Sequence, residues 1–262
     1  ELVSIIVVNG GRSPCFAACL DSLQKQTFPN LEIIVIDSHP EGLSYCQSLN
    51  RGIAQSKGDF ILCLNDDVVL QDDFVEQALK GFVVDDKIGM VSGKILRMDK
   101  KTIDSTGLFL SVFRSAQERG YGKPDFGQFA KPGFIFGVCG AVAFYRKAML
   151  EELRDKNGYF DERFGYFYED LDIAWRAQRR NWKGYYAPQA IAYHVRGATV
   201  RQGKGIDKKF ARMYLSKDLL MSLIKNRYLT ILKNESALGF LLHLPFILLY
   251  DAFAWAHFLC YN

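Results

Sequence analysis

The feature that most constrains this chain is the alternation of short apolar runs with helix-like segments across its first third. Leu2–Val8 (LVSIIVV), Leu31–Ile36 (LEIIVI), Phe60–Leu64 (FILCL) and Ile88–Ser92 are β-rich and apolar almost throughout. Such runs fit strands buried on both faces. Between them lie Phe16–Gln26, after a Ser13-Pro14 start, then Gly42–Gln55, closed by Lys57-Gly58, and Asp73–Val84, each read as a helix. Strand-helix-strand repetition of this kind predicts a mostly parallel central sheet with right-handed crossovers, flanked by helices. Ligands of such sheets bind at the carboxyl ends of the strands. Asp37 and the group Asn65-Asp66-Asp67 fall there. No GxGxxG follows the first strand and no P-loop sequence occurs, which argues against a dinucleotide or P-loop site.

The pattern loosens after Lys94. Thr102–Pro132, rich in Gly, Ser and charge, reads as hairpin or loop. Phe134–Arg146 reads as a strand with a glycine bend, Glu169–Arg180 as a helix, and Lys183–Tyr186 and Ile191–His194 as two short strands separated by Pro188. From Asp207 onward the chain reads as helical and increasingly apolar. Six cysteines are scattered without a CxxC pair, which predicts reduced, mostly buried thiols rather than a zinc or redox motif. Glu1-Leu2-Val3 leads straight into the first strand, so no signal peptide is read.

Adjacent carboxylates at a strand end repel unless they share a cation. Mg²⁺ and Mn²⁺ prefer oxygen ligands and keep positions open for substrate phosphates. Asn65-Asp66-Asp67 therefore suits a divalent metal that neutralises a diphosphate leaving group. The same residues also serve as turn formers and helix caps.

Several ordered motifs together resemble glycosyltransferase family 2, whose members have the GT-A fold of nucleotide-diphospho-sugar transferases. VSIIVVN at 3–9 resembles the opening strand, and IIVIDS at 33–38 the strand whose last aspartate meets the nucleobase. Asn50-Arg51-Gly52 with Lys57-Gly58-Asp59-Phe60, LNDD at 64–67, FDERFGYFYEDLDIAWR at 160–176 and AYHVRGAT at 192–199 resemble later elements in family order. Gly10-Gly11 stand where the family has a bulky residue and asparagine, and Asn65 opens the DxD element. The LNxD form resembles rhamnosyltransferase and galactofuranosyltransferase members.

The resemblance implies residue roles. Asp170 would be the base, with Glu169 beside it placing the acceptor or the base. Asp67 and His194 would hold the metal. Asn9, Asp37, Asn50, Gly52, Asn65, Asp66 and Gly140 would line the nucleotide and donor side. His39 lacks such support, and Arg196 and Arg201 read either as diphosphate partners or as loop charges. Asp172 and Arg176 read as a surface i,i+4 pair. Inversion by one displacement is implied, with dTDP-rhamnose as the favoured donor and UDP-galactofuranose, UDP-glucose or UDP-GlcNAc as alternatives.

The total charge of +4 is uneven. Residues 196–233 hold ten Lys and Arg against Asp207 and Asp218, a net +8 that leaves the remainder at −4. This basic segment precedes Ala237–Cys260, nearly apolar but interrupted by His243, Pro245, Asp251 and His257. An uncompensated central acid costs about 2.5 kcal/mol or more in a bilayer, so interfacial helices are expected rather than a span. The organisation read is a catalytic region over 1–205 and a C-terminal helical region over 206–262, on an anionic membrane surface at the cytoplasmic face. The acceptor expected there is a lipid-linked saccharide, and nucleic acid is not expected as a partner. Rival readings are a nucleotidyltransferase, of whose basic glycine loop Gly10-Gly11-Arg12 is a faint echo, and a non-catalytic membrane or nucleic-acid binder. Calorimetry with UDP and dTDP, with and without Mn²⁺, separates them: the transferase binds pyrimidine diphosphates more tightly with metal. Asp37→Ala is expected to weaken that binding by about 1.5–3 kcal/mol, and equal affinity removes the nucleobase assignment.

Overall fold

In a computed structural model, residues 1–11, 13–196 and 216–260 are described. Five long strands run in one direction: β1 (Val3–Asn9), β2 (Leu31–Asp37), β3 (Phe60–Asn65), β5 (Ile88–Arg97) and β11 (Lys183–His194). The short β4 (Val68–Leu70) pairs antiparallel with β11, and β10 (Val142–Arg146) is wedged antiparallel between β3 and β5. The sheet order is β2-β1-β3-β10-β5-β11-β4. Two further strands are added at its side: β6 (Ile103–Ser105) on β5 and β9 (Gly133–Ile135) on β11. β7 (Leu108–Leu110) and β8 (Ala116–Glu118) form a separate hairpin within the stretch read as hairpin or loop.

The apolar runs are continuous because both faces of the sheet are covered. Along β1, Ile6 and Val8 enter one core, and Val3, Ile5 and Val7 the other. The first core takes Leu49 and Ile53 from α2 (Tyr45–Gln55), Met149 and Leu150 from α4 (Lys147–Leu153), and Leu171 and Ile173 from α5 (Glu169–Arg179). The second takes Leu23 from α1 (Phe16–Gln24) and Phe74, Ala78 and Phe82 from α3 (Phe74–Phe82). α2 starts at a capping box, in which the Ser44 hydroxyl accepts from the Gln47 N–H and the Gln47 side chain accepts from the Ser44 N–H.

Three expectations change. Pro188 does not break the chain into separate strands: β11 runs through it, and its register against β5 shifts between Ala187 and Ile191. A bulge lets a residue without an N–H stay in a strand. Phe134–Arg146 is not one strand but β9 and β10, which pair with different neighbours. Asp172 is not on the surface. Its side chain is 1 % exposed and accepts from Arg176 Nε (2.9 Å), Lys233 Nζ (3.0 Å) and Asn234 Nδ2 (2.8 Å).

Lys233 and Asn234 lie on α6 (Lys217–Asn234), so this network ties α6 to α5. α6 buries a polar stripe, Asn226, Arg227, Thr230 and Asn234. α7 (Ala237–Cys260) follows, with Pro245 inside it. The boundary expected at 205/206, Arg201 and half of the basic segment lie outside the described residues. Of the basic residues of α6, Arg227 donates to Asp251 and Phe113 O and Lys233 to Asp161 and Asp172, while Lys217 and Lys225 stay exposed, Lys225 donating to Arg163 O. The charges of Arg227 and Lys233 are thus engaged within the protein. Breaking a buried ion pair on one side typically costs about 3–5 kcal/mol. Asp172→Ala is therefore expected to lower the unfolding free energy by about that amount in urea titrations, whereas a change under about 1 kcal/mol would return the pair to the surface.

Candidate active site

The five parallel strands deliver their carboxyl ends to one edge of the sheet. Asn9 and Asp37 end β1 and β2 in register, and Asn9 Nδ2 donates to Asp37 Oδ1 at 2.6 Å. Asp37 is exposed, its carboxylate oriented by this amide. The two glycines after Asn9 have specific uses. Gly11 adopts φ +71° and donates its N–H to Asn9 Oδ1 (2.9 Å), while Gly10 N–H donates to Asp66 Oδ2 (2.9 Å). Burial pushes the Asp66 carboxyl up, the Gly10 N–H opposes this, and the adjacent Asp67 charge adds to the rise.

Asp67 turns toward the end of β11. Its Oδ1 lies 3.2 Å from His194 Nε2, and the other ring nitrogen, Nδ1, lies 2.8 Å from Asp104 Oδ2 on β6. Arg196, with φ +61°, bonds the remaining Asp104 oxygen and stacks over Tyr121. Burial opposes the charges of this cluster, but Arg196 and His194 hold Asp104 at about 2, and the two carboxylates push the imidazole up to about 9. Asn65 Oδ1 is buried, and among the described residues it has no hydrogen-bond partner.

Glu169 and Asp170 open α5 after a left-handed turn, with φ +69° at Phe167 and +70° at Tyr168. Asp170 Oδ2 accepts from Gly140 N–H (3.0 Å) and Oδ1 from its neighbour Leu171 N–H (2.7 Å). A Cβ on Gly140 would stand 3.1 Å from Glu169 Oε1 and 3.3 Å from Asp170 Oδ2, so glycine admits both acids. Tyr45 OH donates to Gly140 O (2.9 Å), and its ring stacks with the half-exposed Tyr166. Glu169 is buried, with Oε2 unpartnered among the described residues, and is pushed up by burial and then by the Asp170 charge. Asp170 is also pushed up by burial, but the two N–H donors stabilise its anion. The two N–H donors favour the anion on the half-buried Asp170 over one on the buried Glu169.

Two residues expected on the donor side are engaged elsewhere. Asn50 clasps Phe160, donating to its carbonyl and accepting from its N–H at 2.8 Å each. Gly52 lies flat on the core, where a Cβ would meet Ile6 Cγ2 at 2.4 Å. Gly140 serves the acid pair. Asp104 and the half-buried Glu118, which accepts from Ser105, are additions for which the sequence shows no motif.

The sequence model of glycosyltransferase-like family 2 matches residues 5–214. The chain belongs to this family. Among curated members, poly-beta-1,6-N-acetyl-D-glucosamine synthase of Staphylococcus aureus is 23 % identical over 200 residues, which cover 74 % of this chain and 43 % of that protein. The family-2 chain thus spans under half the length of the relatives it matches. Among solved structures, the mannosyltransferase PcManGT of Pyrobaculum calidifontis, in complex with GDP-Man and Mn²⁺, superposes with TM-score 0.58 at 15 % identity, covering 98 % of this chain and 72 % of that one. GalNAc-T7 with UDP, GalNAc and Mn²⁺ gives TM-score 0.55 at 11 % identity, covering 74 % and 44 %. The fold is that of the GT-A glycosyltransferases.

Proposed function

We propose that this family-2 enzyme transfers a sugar from a pyrimidine nucleoside diphosphate to an acceptor hydroxyl with inversion, Asp170 acting as base. The observation that carries this reading is the unequal surroundings of the acid pair: Glu169 is buried with Oε2 unpartnered among the described residues, whereas the half-buried Asp170 accepts from two backbone N–H groups. Asp170 takes the proton of the acceptor hydroxyl as that oxygen attacks the anomeric carbon. Tyr45 and Tyr166 offer an aromatic wall to the sugar, and Asn9 orients Asp37 toward the base of the donor.

The residues fit a divalent cation, although among the described residues no group of three or more His, Cys, Asp or Glu is arranged around one point. Asp67 Oδ1 and His194 Nε2 face one another and would hold it, with Asp104 fixing the ring through Nδ1, as carboxylates behind a metal-bound histidine do. Asn65 Oδ1, two residues before Asp67 and without a hydrogen-bond partner among the described residues, would be a candidate for a further oxygen ligand. A bound Mg²⁺ or Mn²⁺ would neutralise the charge of the leaving diphosphate. The Mn²⁺ in PcManGT and GalNAc-T7 supports a metal of this class.

The LNxD form favours dTDP-rhamnose, whereas the name of the staphylococcal relatives favours an N-acetylglucosaminyl donor. The acceptor proposed is a lipid-linked saccharide, and the organisation proposed is a catalytic region to residue 205 followed by a membrane-associating region. α7 supports the membrane reading: its best window has mean hydropathy 1.7 and is 6 % buried. Its polar groups face the protein, His243 with Arg114, Asp251 with Arg227, and Trp255 with Tyr228, while Leu238, Leu242, Phe253 and Leu259 are more than 60 % exposed. A helix fastened along its length to the domain presents one apolar side, which suits the cytoplasmic interface better than a span.

Asp170→Asn is expected to lower nucleoside diphosphate release from the accepted donor by roughly a hundredfold to ten-thousandfold, with donor affinity unchanged. The active form is deprotonated, and Asp170 is pushed up, so kcat/KM is lost as pH falls through a value above the ordinary aspartate range. Wild-type turnover in the Asn variant would move the base elsewhere, with Glu169 the first candidate. Removing residues 237–262 is expected to reduce liposome binding while donor hydrolysis persists. Unfolding of the truncated protein would instead place α7 in the core.

A further inference from the structure

The segment that leads into the acid pair turns its carbonyls toward α6. Asn226, fully buried on that helix, points its Nδ2 at the carbonyls of Phe164 (2.8 Å), Tyr166 (2.6 Å) and Phe167 (2.9 Å). Lys225 Nζ donates to the carbonyl of Arg163 at 2.9 Å. A carboxamide has two N–H groups, so three carbonyls share two protons, and Asn226 Oδ1 is left without a partner among the described residues. The opposite amide orientation would set oxygen against three oxygens, so the chemistry of the site selects the donor orientation.

This bracket closes on a strained backbone. Gly165 has φ +69°, and the next left-handed residues, Phe167 and Tyr168, are bulky aromatics that gain nothing from that conformation. Such residues persist only where their surroundings over-determine them. The carbonyls held by Asn226 flank or belong to this turn, and Tyr168 is the residue that caps α5 just before Glu169 and Asp170. The turn direction decides whether Asp170 Oδ2 meets the Gly140 N–H. The neighbouring Arg227 ties the same turn of α6 to Asp251 of α7 and to Phe113 O.

We propose that Asn226 is a positioning residue for the transfer: by holding the carbonyls of Phe164, Tyr166 and Phe167 it sets the left-handed entry to α5 and so places Asp170. The proposal rests on Asp170 as base. α6 then belongs to the catalytic machinery and is more than a link to the membrane.

Asn226→Asp has the same shape but replaces the donors with acceptors. Three readings are taken on the full chain: kcat for nucleoside diphosphate release from whichever of UDP-GlcNAc and dTDP-rhamnose the wild type turns over, affinity for the matching nucleoside diphosphate with Mn²⁺, and hydrogen exchange of the Gly140 and Leu171 amides. The expected result is a loss of at least tenfold in kcat, affinity within twofold of wild type, and at least tenfold faster exchange at both amides. A kcat within twofold of wild type, or unchanged exchange, overturns the proposal. An equal fall in kcat and affinity also overturns it, because that marks general loss of structure. If the Asp variant does not fold, Asn226→Ser, which keeps one donor, is expected to show the same split with a loss of at least threefold, and its absence counts against the proposal. Asp170→Asn run in parallel separates the two ideas. Wild-type turnover there removes the base assignment, while the exchange of Gly140 and Leu171 in Asn226→Asp still decides whether Asn226 holds the turn.

Discussion

The imidazole of His194 sits between two carboxylates, Asp67 and Asp104, where little water enters. It joins the turn after β3, the short β6 and the end of β11, three segments drawn from distant stretches of the chain. Arg196 adds a second positive charge on Asp104. Without these cations, buried acids at one sheet edge would repel one another and stay protonated, and a diphosphate arriving there would meet uncompensated negative charge. In the proposed reading the same arrangement would prepare Nε2 and Asp67 for a cation, because Asp104 already fixes the ring. Stability of the edge and the proposed donor site would then rest on one set of contacts.

The acid pair is solved differently. Among the described residues no cation is bonded to Glu169 or Asp170. Burial raises both, and two backbone N–H groups favour the anion on Asp170. One of those N–H groups belongs to Gly140, where a side chain would crowd both carboxyls. The chain shares its family with the family-2 glycosyltransferases and its fold with the GT-A enzymes. In the proposed mechanism, the environment of each acid is what separates the base from its neighbour.

The C-terminal helices show how misleading local composition becomes once charges find partners. α6 reads as a basic, membrane-seeking helix, yet Lys225, Arg227 and Lys233 bond protein carbonyls and carboxylates. α7 reads as an interrupted span, yet its interruptions face the domain and its apolar side is open. The apolar surface of α7 supports the membrane proposal, and Arg227 and Lys233, paired within the protein, add little to it.

The sequence by itself determined the parallel framework and the edge on which the chemistry gathers. Period and composition are local properties: a run such as LVSIIVV fits a strand buried on both sides, and a polar residue at its end emerges at the sheet edge. Asn9, Asp37, Asn65 to Asp67, and His194 were placed by that logic together with the family resemblance. The tertiary structure decided the partners. Asp104 lies 90 residues from His194, Asn226 about 60 from the turn it holds, and Asn50 110 from Phe160. Asp172 looked like half of a surface pair because its i+4 neighbour is visible in the sequence, while Lys233 and Asn234, 61 and 62 residues away, are not. Hydrogen bonds at such separations depend on how helices and strands cross in space, and no local pattern of residues encodes that crossing.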